Sequence, residues 1–469
     1  MDTGAAERIS PAKIATFAAA AFPVGALVTT LGVYLPPYYA ADVGLPLAVV
    51  GTAFMAVRLF DIISDPLFGI GMDRTRLGGA KFRPWLIASI PVLLIATYAV
   101  YLPPVGASAI YLVAWLIVLY AGYSMLTLSQ AGWGAALVSE YHQRSRVYGW
   151  IQAVAVVGAL GVLLMPQVLG SVLHGFKAVP LMGLFSLAAI LFGVGITVLF
   201  AGEPQASSIK TEHFGIKDYL PLASRPEMLR LMIADLFCTL GPAITAPLYL
   251  FFFHLARGYT GPQMTLLLFI YIASGLIGPW AWSVVARMLG KHHTIRLTSV
   301  LYVIAQVSLL MVPNAHLAAM SVAMFSVGFI ASAFAFLVRA MIADVSDEIR
   351  LESGKDRTAM LYAMVTSTNK IGGTLSVGVA YWLLPLFGFV PALGLHNTPN
   401  ALWGLQACYL APPVICVLIG GLAMWGYKLD ETRHAEIRAK LQIEGAKDAL
   451  QSLTGEPPVP EQGVLTAGE

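Results

Sequence analysis

Long apolar runs broken by short polar joints make up nearly the whole chain. The runs fall at 14–40, 46–72, 84–102, 109–137, 147–171, 178–201, 228–254, 262–287, 293–312, 316–343, 358–388 and 403–427. Each is long enough to cross a bilayer core of about 30 Å, which takes roughly 20 helical residues. Barrel strands are excluded, because they alternate polarity over about ten residues and these runs are continuously apolar. The pattern predicts an all-α membrane protein with twelve transmembrane helices. The longest and most polar joint divides it into a six-helix half at 1–201, a linker at 202–227, a second six-helix half at 228–427 and a tail at 428–469. The joints after the second and eighth helices are both short and basic, a weak echo between the halves. Parallel six-helix repeats with a midplane site between them are the plan of the major facilitator fold, which is the expectation here by analogy. The tail reads as a charged helix followed by a Pro- and Gly-rich end.

Composition strengthens the class. Hydrophobic residues are 58% and charged residues 11% of 469, mean hydropathy is +0.76, and soluble domains carry about 25% charged residues. The net charge of +3 says little, but its placement says more. Arg8, Lys13, Arg74, Arg76, Lys81, Arg83, Arg144, Arg146, Lys210, Lys217, Arg225, Arg230, Arg287, Lys291, Arg296, Arg350, Lys355 and Arg357 fall on one side, and only Lys177 and Arg257 on the other. Both termini are therefore expected in the cytoplasm, in an inner or plasma membrane, with the N-terminus retained. Cys238, Cys408 and Cys416 lie within predicted helices without metal-ligand spacing and read as packing residues. No nucleotide-binding loop or nucleophile elbow occurs. The expectation is a non-enzymatic monomer without cofactor or nucleic-acid partner, whose partners are the bilayer, a small-molecule substrate and a monovalent cation.

The second helix carries charges that apolar packing does not favour. Arg58, Asp61 and Asp65 stand at i, i+3 and i+7 and share one face. Each costs about 2.5 to 3.5 kcal/mol near the bilayer centre on insertion scales. The two acids are one turn apart, and at an effective dielectric near 20 they repel by about 2.8 kcal/mol. Something positive must accompany them: a proton, a sodium ion, Arg58, or a lysine from another helix. A static ion-pair cluster pinning helices together is the bland alternative. Lys370 in the eleventh helix is the only lysine deep within a predicted span and needs an acidic partner, for which this pair is the natural choice. Asp235 and Arg339 sit nearer helix ends and read as structural. Trp133 and Gln130 in the fourth helix, Tyr34, Tyr38 and Tyr39 in the first and Gln152 in the fifth are aromatic or polar groups suited to a sugar site, or to packing and interface anchoring. The histidines His254, His292, His293, His316 and His396 lie near loop ends and read as surface residues.

Two stretches resemble the glycoside-pentoside-hexuronide:cation symporter family, typified by the melibiose permease. One is R-x-x-D-x-x-x-D-P from Arg58 with K-F-R-P-W at Lys81 to Trp85; the other is ADVSDEIRLESGKDR from Ala343 to Arg357, leading to Lys370-Ile-Gly-Gly. The similarity runs from about 14 to 427. It implies that Asp61 and Asp65 bind the coupling cation, with Ser64 where that permease has an asparagine that helps bind sodium, so the ion is a proton or sodium. It also implies that Lys370 lies near both cation and sugar, and that Arg146 faces Asp344, Asp347 and Arg357 in a gate. The sugar side departs from the pattern. Gly25 and Ser129 stand where the permease has sugar-binding acids, no Lys or Arg occurs between Arg146 and Lys177, and Trp133 matches. Trp133, Ser129, Gln152, Lys370 and the space at Gly25 are then the expected substrate contacts, in a cavity less polar than that permease's.

The resulting expectation is a secondary active transporter that moves a glycoside or related solute by cation-coupled symport and alternating access. The alternatives are a cation-coupled transporter of lysophospholipids or other amphiphiles, and a non-transporting membrane sensor.

Overall fold

The computed structural model describes residues 10–75, 77, 80–137, 141–170, 177–203, 216–354 and 357–454. Among these, twelve helices are long and apolar enough to cross a membrane: α1 Pro11–Ala41, α2 Leu47–Met72, α3 Arg83–Tyr101, α4 Ala109–Gly134, α5 Arg146–Val168, α6 Ala178–Phe200, α7 Pro226–Ala256, α8 Gly261–Leu289, α9 Lys291–Met311, α10 Leu317–Ser353, α11 Met360–His396 and α12 Pro399–Ala423. The tail helix α13 spans Glu431–Thr454 and a short helix spans Ile216–Ala223. Six spans precede the linker and six follow it, so both ends of the described chain lie on one face.

The packing repeats. In the first six spans α1 packs on α5, α2 and α3 on α4, and α3 on α6; in the last six α7 packs on α11, α8 and α9 on α10, and α9 on α12. Each pair recurs six spans later, as two six-helix halves of the major facilitator fold require. The halves meet where α2 packs on α11 and α5 on α8, and where the far end of α1 packs on α7. Gly25 belongs to the α1–α5 seam, where a Cβ would overlap the Ala155 carbonyl; small residues are what allow membrane helices this approach.

Two local devices set α2 and α3. Pro66 follows Asp65 inside α2, and its missing N–H leaves the Ile62 carbonyl without its helical donor. The K-F-R-P-W stretch opens α3 on Glu203: one carboxylate oxygen accepts from the backbone N–H of Lys81 and Phe82, both at 2.9 Å, and the other from Arg83 at 2.8 Å. A carboxylate at a helix N-terminus satisfies donors that lack intrahelical partners. Trp85 then donates to Thr75 Oγ1 at 2.9 Å, tying the start of α3 to the end of α2.

Candidate functional site

The charged face of α2 meets α4 and α11 midway along the spans. Lys370 Nζ donates to Asp65 and lies 3.7 Å from Asp61. Asp61, buried, also accepts from Ser124 on α4 at 2.5 Å. Asp65 Oδ1 is buried with no hydrogen-bond partner. Arg58 turns away from the acids, donating to Tyr120 on α4 at 2.8 Å and to the Gly373 carbonyl on α11 at 2.6 Å. Gly373 permits this, since a Cβ there would stand 3.3 Å from Arg58 Nη1. Ser64 is buried and donates to the Asp61 carbonyl at 3.1 Å.

Of these groups Arg58, Asp61, Tyr120 and Lys370 line a cavity of about 240 Å³, together with Tyr123 and Asn369. A larger cavity, about 710 Å³, lies toward the face remote from the termini, bordered by Tyr34, Tyr38, Gln167, Lys177 and His254. Lys370 with Asp61 and Asp65 forms the only ion pairs that join the two halves among the described residues. Asp61 and Asp65 are largely enclosed while Lys370 is partly open to the cavity, so the acids depend on this lysine for a compensating charge. The oxygens gathered here, from Asp61, Asp65 and Ser124, are hard donors of the kind that suits an alkali cation, and the unpartnered Asp65 oxygen equally suits a proton.

The remaining expected residues lie elsewhere in this conformation. Ser129 and Trp133 follow Ser124 by five and nine positions, about 7 and 13 Å along α4. Both are fully buried, Ser129 against Met72 and Trp133 against Phe17 with ring centroids 5.7 Å apart. Trp133 is thus a core side chain here, not a stacking platform open to solute. Gly25 is filled by the α5 backbone, so no solute reaches it in this arrangement. Gln152 is exposed on α5. Sequence reasoning passed over Ser124, Tyr120 and Tyr123. A helix serine carries no signal of its own; the charges on Arg58 and Asp61, which require partners, are what would have pointed to α4.

The gate residues are partly assembled. Asp344 pairs with Lys291 on α9 at 2.7 Å, and His434 on α13 lies 3.0 Å from Asp347 and 3.5 Å from Asp344. Arg146 is exposed and pairs with neither acid, and no ion pair to Arg357 is found among the described residues. His292, expected at the surface, is buried and packs on Tyr427, with ring centroids 5.8 Å apart. Arg144 and Lys355, which belong to the same charged joints, have side chains outside the described residues. Among the described residues the halves thus touch along α2–α11, between α5 and α8 and where α1 meets α7, and no ion pair joins Arg146 to the acids of α10.

Comparison with known proteins bears on this arrangement. Residues 16–431 match the family described as MFS/sugar transport protein. The chain is 24% identical to the uncharacterized symporter YjmB of Bacillus subtilis, with 86% of this chain and 89% of that one covered. It is 26% identical to a putative sulfoquinovose importer of Salmonella typhimurium, covering 86% and 87%, and 22% identical to the isoprimeverose transporter of Lactiplantibacillus pentosus, covering 85% and 84%. Among solved structures, the nucleoside transporter NupG superposes with a TM-score of 0.66 at 13% identity over 89% of this chain and 98% of that one, a likeness of fold.

Proposed function

Since the chain belongs to the MFS/sugar transport protein family and is a multi-pass membrane transporter of the secondary type, we propose that it couples a monovalent cation, proton or sodium, to symport of a glycoside or related small solute. Asp61 and Asp65 bind the cation in this reading, with Ser124 as an additional oxygen ligand and Ser64 positioning the turn between them. The observation that carries it is Lys370, which reaches from α11 to both acids across the interface between the halves. Lys370 supplies the positive charge the acids need when no cation is bound. A cation or proton arriving at Asp65 takes over that role and frees the ammonium to meet solute in the cavity beside it, where Tyr120 and Tyr123 offer aromatic faces. Cation and solute then favour one another, and the same linkage must hold in both directions.

With the termini in the cytoplasm, as the basic joints favour under the positive-inside rule, the conformation described above is in this reading the inward-open one. Arg146 forms no ion pair in it among the described residues and would pair with Asp344 or Asp347 when that side closes. The names of two relatives described above, a putative sulfoquinovose importer and an isoprimeverose transporter, support a glycoside as the solute.

The test needs no knowledge of the solute. A ligand that binds only the folded protein stabilises it, by about 2.7 kcal/mol at a hundredfold excess over Kd. Thermal unfolding of the purified protein should shift upward on replacing choline by sodium, or on acidification, and Asp65→Asn should remove that shift. An equal shift in both proteins would count against the assignment.

A further inference from the structure

A third acid lies within the membrane region, and the transport reading does not use it. Asp235 stands nine residues inside α7 and is 4% exposed, deeper than a structural residue at a helix end. No Lys or Arg among the described residues forms an ion pair with it. Its partner is Thr368 on α11, whose Oγ1 lies 2.9 Å from Asp235 Oδ2. The same hydroxyl lies 2.8 Å from the Val365 carbonyl one turn back.

That hydroxyl has a single proton, and two acceptors compete for it. An ionised Asp235 has only lone pairs to offer, so the one Thr368 proton would be shared between the carboxylate and the Val365 carbonyl. A neutral Asp235 resolves both: its own O–H is given to Thr368 Oγ1, and the Thr368 proton goes to the Val365 carbonyl. Next to it Asn369 donates to Thr239 Oγ1 at 2.9 Å, and its amide also lies beside the Asp235 carboxyl. Each Thr368 contact then has a hydrogen of its own, and the burial of a carboxylate without an ion-pair partner, which costs far more than burial of the neutral acid, is avoided.

We propose that Asp235 is a proton-binding site, occupied in this conformation and separate from the Asp61–Asp65 pair. The charged and titratable groups around it are few. Arg339 on α10 is exposed and acts from a distance, Cys238 lies one turn along α7 with Cys416 of α12 beyond it, and Lys370 on α11 is bound to the acids of α2. The site lies on the flank of α11 that faces α7, while Lys370 serves the flank that faces α2. Any movement of α11 against α7 breaks the contact with Thr368, and the proton then exchanges. Two carboxyl sites thus bracket one helix, and the second exists whether or not Asp61 and Asp65 bind the coupling cation.

Infrared difference spectroscopy of the purified protein in lipid, taken between low and high pH in H2O and D2O, reads protonated carboxyls directly. The expected result is a deuterium-sensitive carboxylic-acid C=O band that Asp235→Asn loses and that Asp61→Asn and Asp65→Asn both keep. Thr368→Val, which retains the carboxyl, should shift the band without abolishing it, and it serves if Asp235→Asn does not fold. A spectrum unchanged by Asp235→Asn, or a band unmoved by Thr368→Val, would overturn the proposal. Loss of the band only in the α2 variants would place the proton on those acids and also overturn it.

Discussion

Lys370 holds together two carboxylates that would otherwise repel by about 2.8 kcal/mol at an effective dielectric near 20, and it does so from the opposite half of the protein. Its charge was readable from sequence because an intramembrane lysine must find an acid. That the α2 pair is its natural partner was readable too; that it lies closer to Asp65 than to Asp61 was not, because that depends on how α11 leans on α2. Trp133 shows the converse. Its aromatic ring suggested solute stacking, yet it is enclosed beside Phe17. Truncating such a ring typically costs about 3–5 kcal/mol. Trp133→Ala should therefore lower the unfolding temperature markedly while leaving the cation-dependent shift in place; an unchanged unfolding temperature would contradict the packing described here.

α11 is packed from both sides, with α2 of the other half on one flank and α7 on the other. Gly372 lets it sit close to α7, where a Cβ would stand 3.0 Å from the Leu236 carbonyl. Helix existence was legible from the apolar runs, but helix ends were less so. α10 continues to Ser353, beyond the end expected at 343, because backbone hydrogen bonding goes on past the apolar stretch until Gly354 adopts a left-handed φ of 66°. That extension carries Asp344 and Asp347, and α13 delivers His434 to them, a contact that no local pattern could reveal. If Arg146 takes these acids only when the gate closes, Arg146→Ala should shift the population toward the open form. A cysteine at the exposed Gln152 position would then alkylate faster from the terminal face than in the parent, and the three native cysteines, all buried, give little background. Equal rates would argue against a gate at Arg146.

For the whole molecule, polarity along the chain was enough to foretell twelve spans in two sets of six, because bilayer thickness leaves few other solutions. The candidate site was legible only as far as its charges, since Ser124, Tyr120 and Tyr123 are residue types that membrane helices also use for packing. In the proposed cycle solute accumulation is driven through Asp61, Asp65 and Lys370. It is tested most directly in vesicles containing the protein, with uptake of a glycoside panel that includes isoprimeverose, sulfoquinovose and melibiose measured with and without an imposed proton or sodium gradient. At least one glycoside should accumulate above its external concentration only under an inward cation gradient, with melibiose weak or absent, and Asp65→Asn should abolish this accumulation. Accumulation by Asp65→Asn with the same gradient dependence as the parent would contradict it.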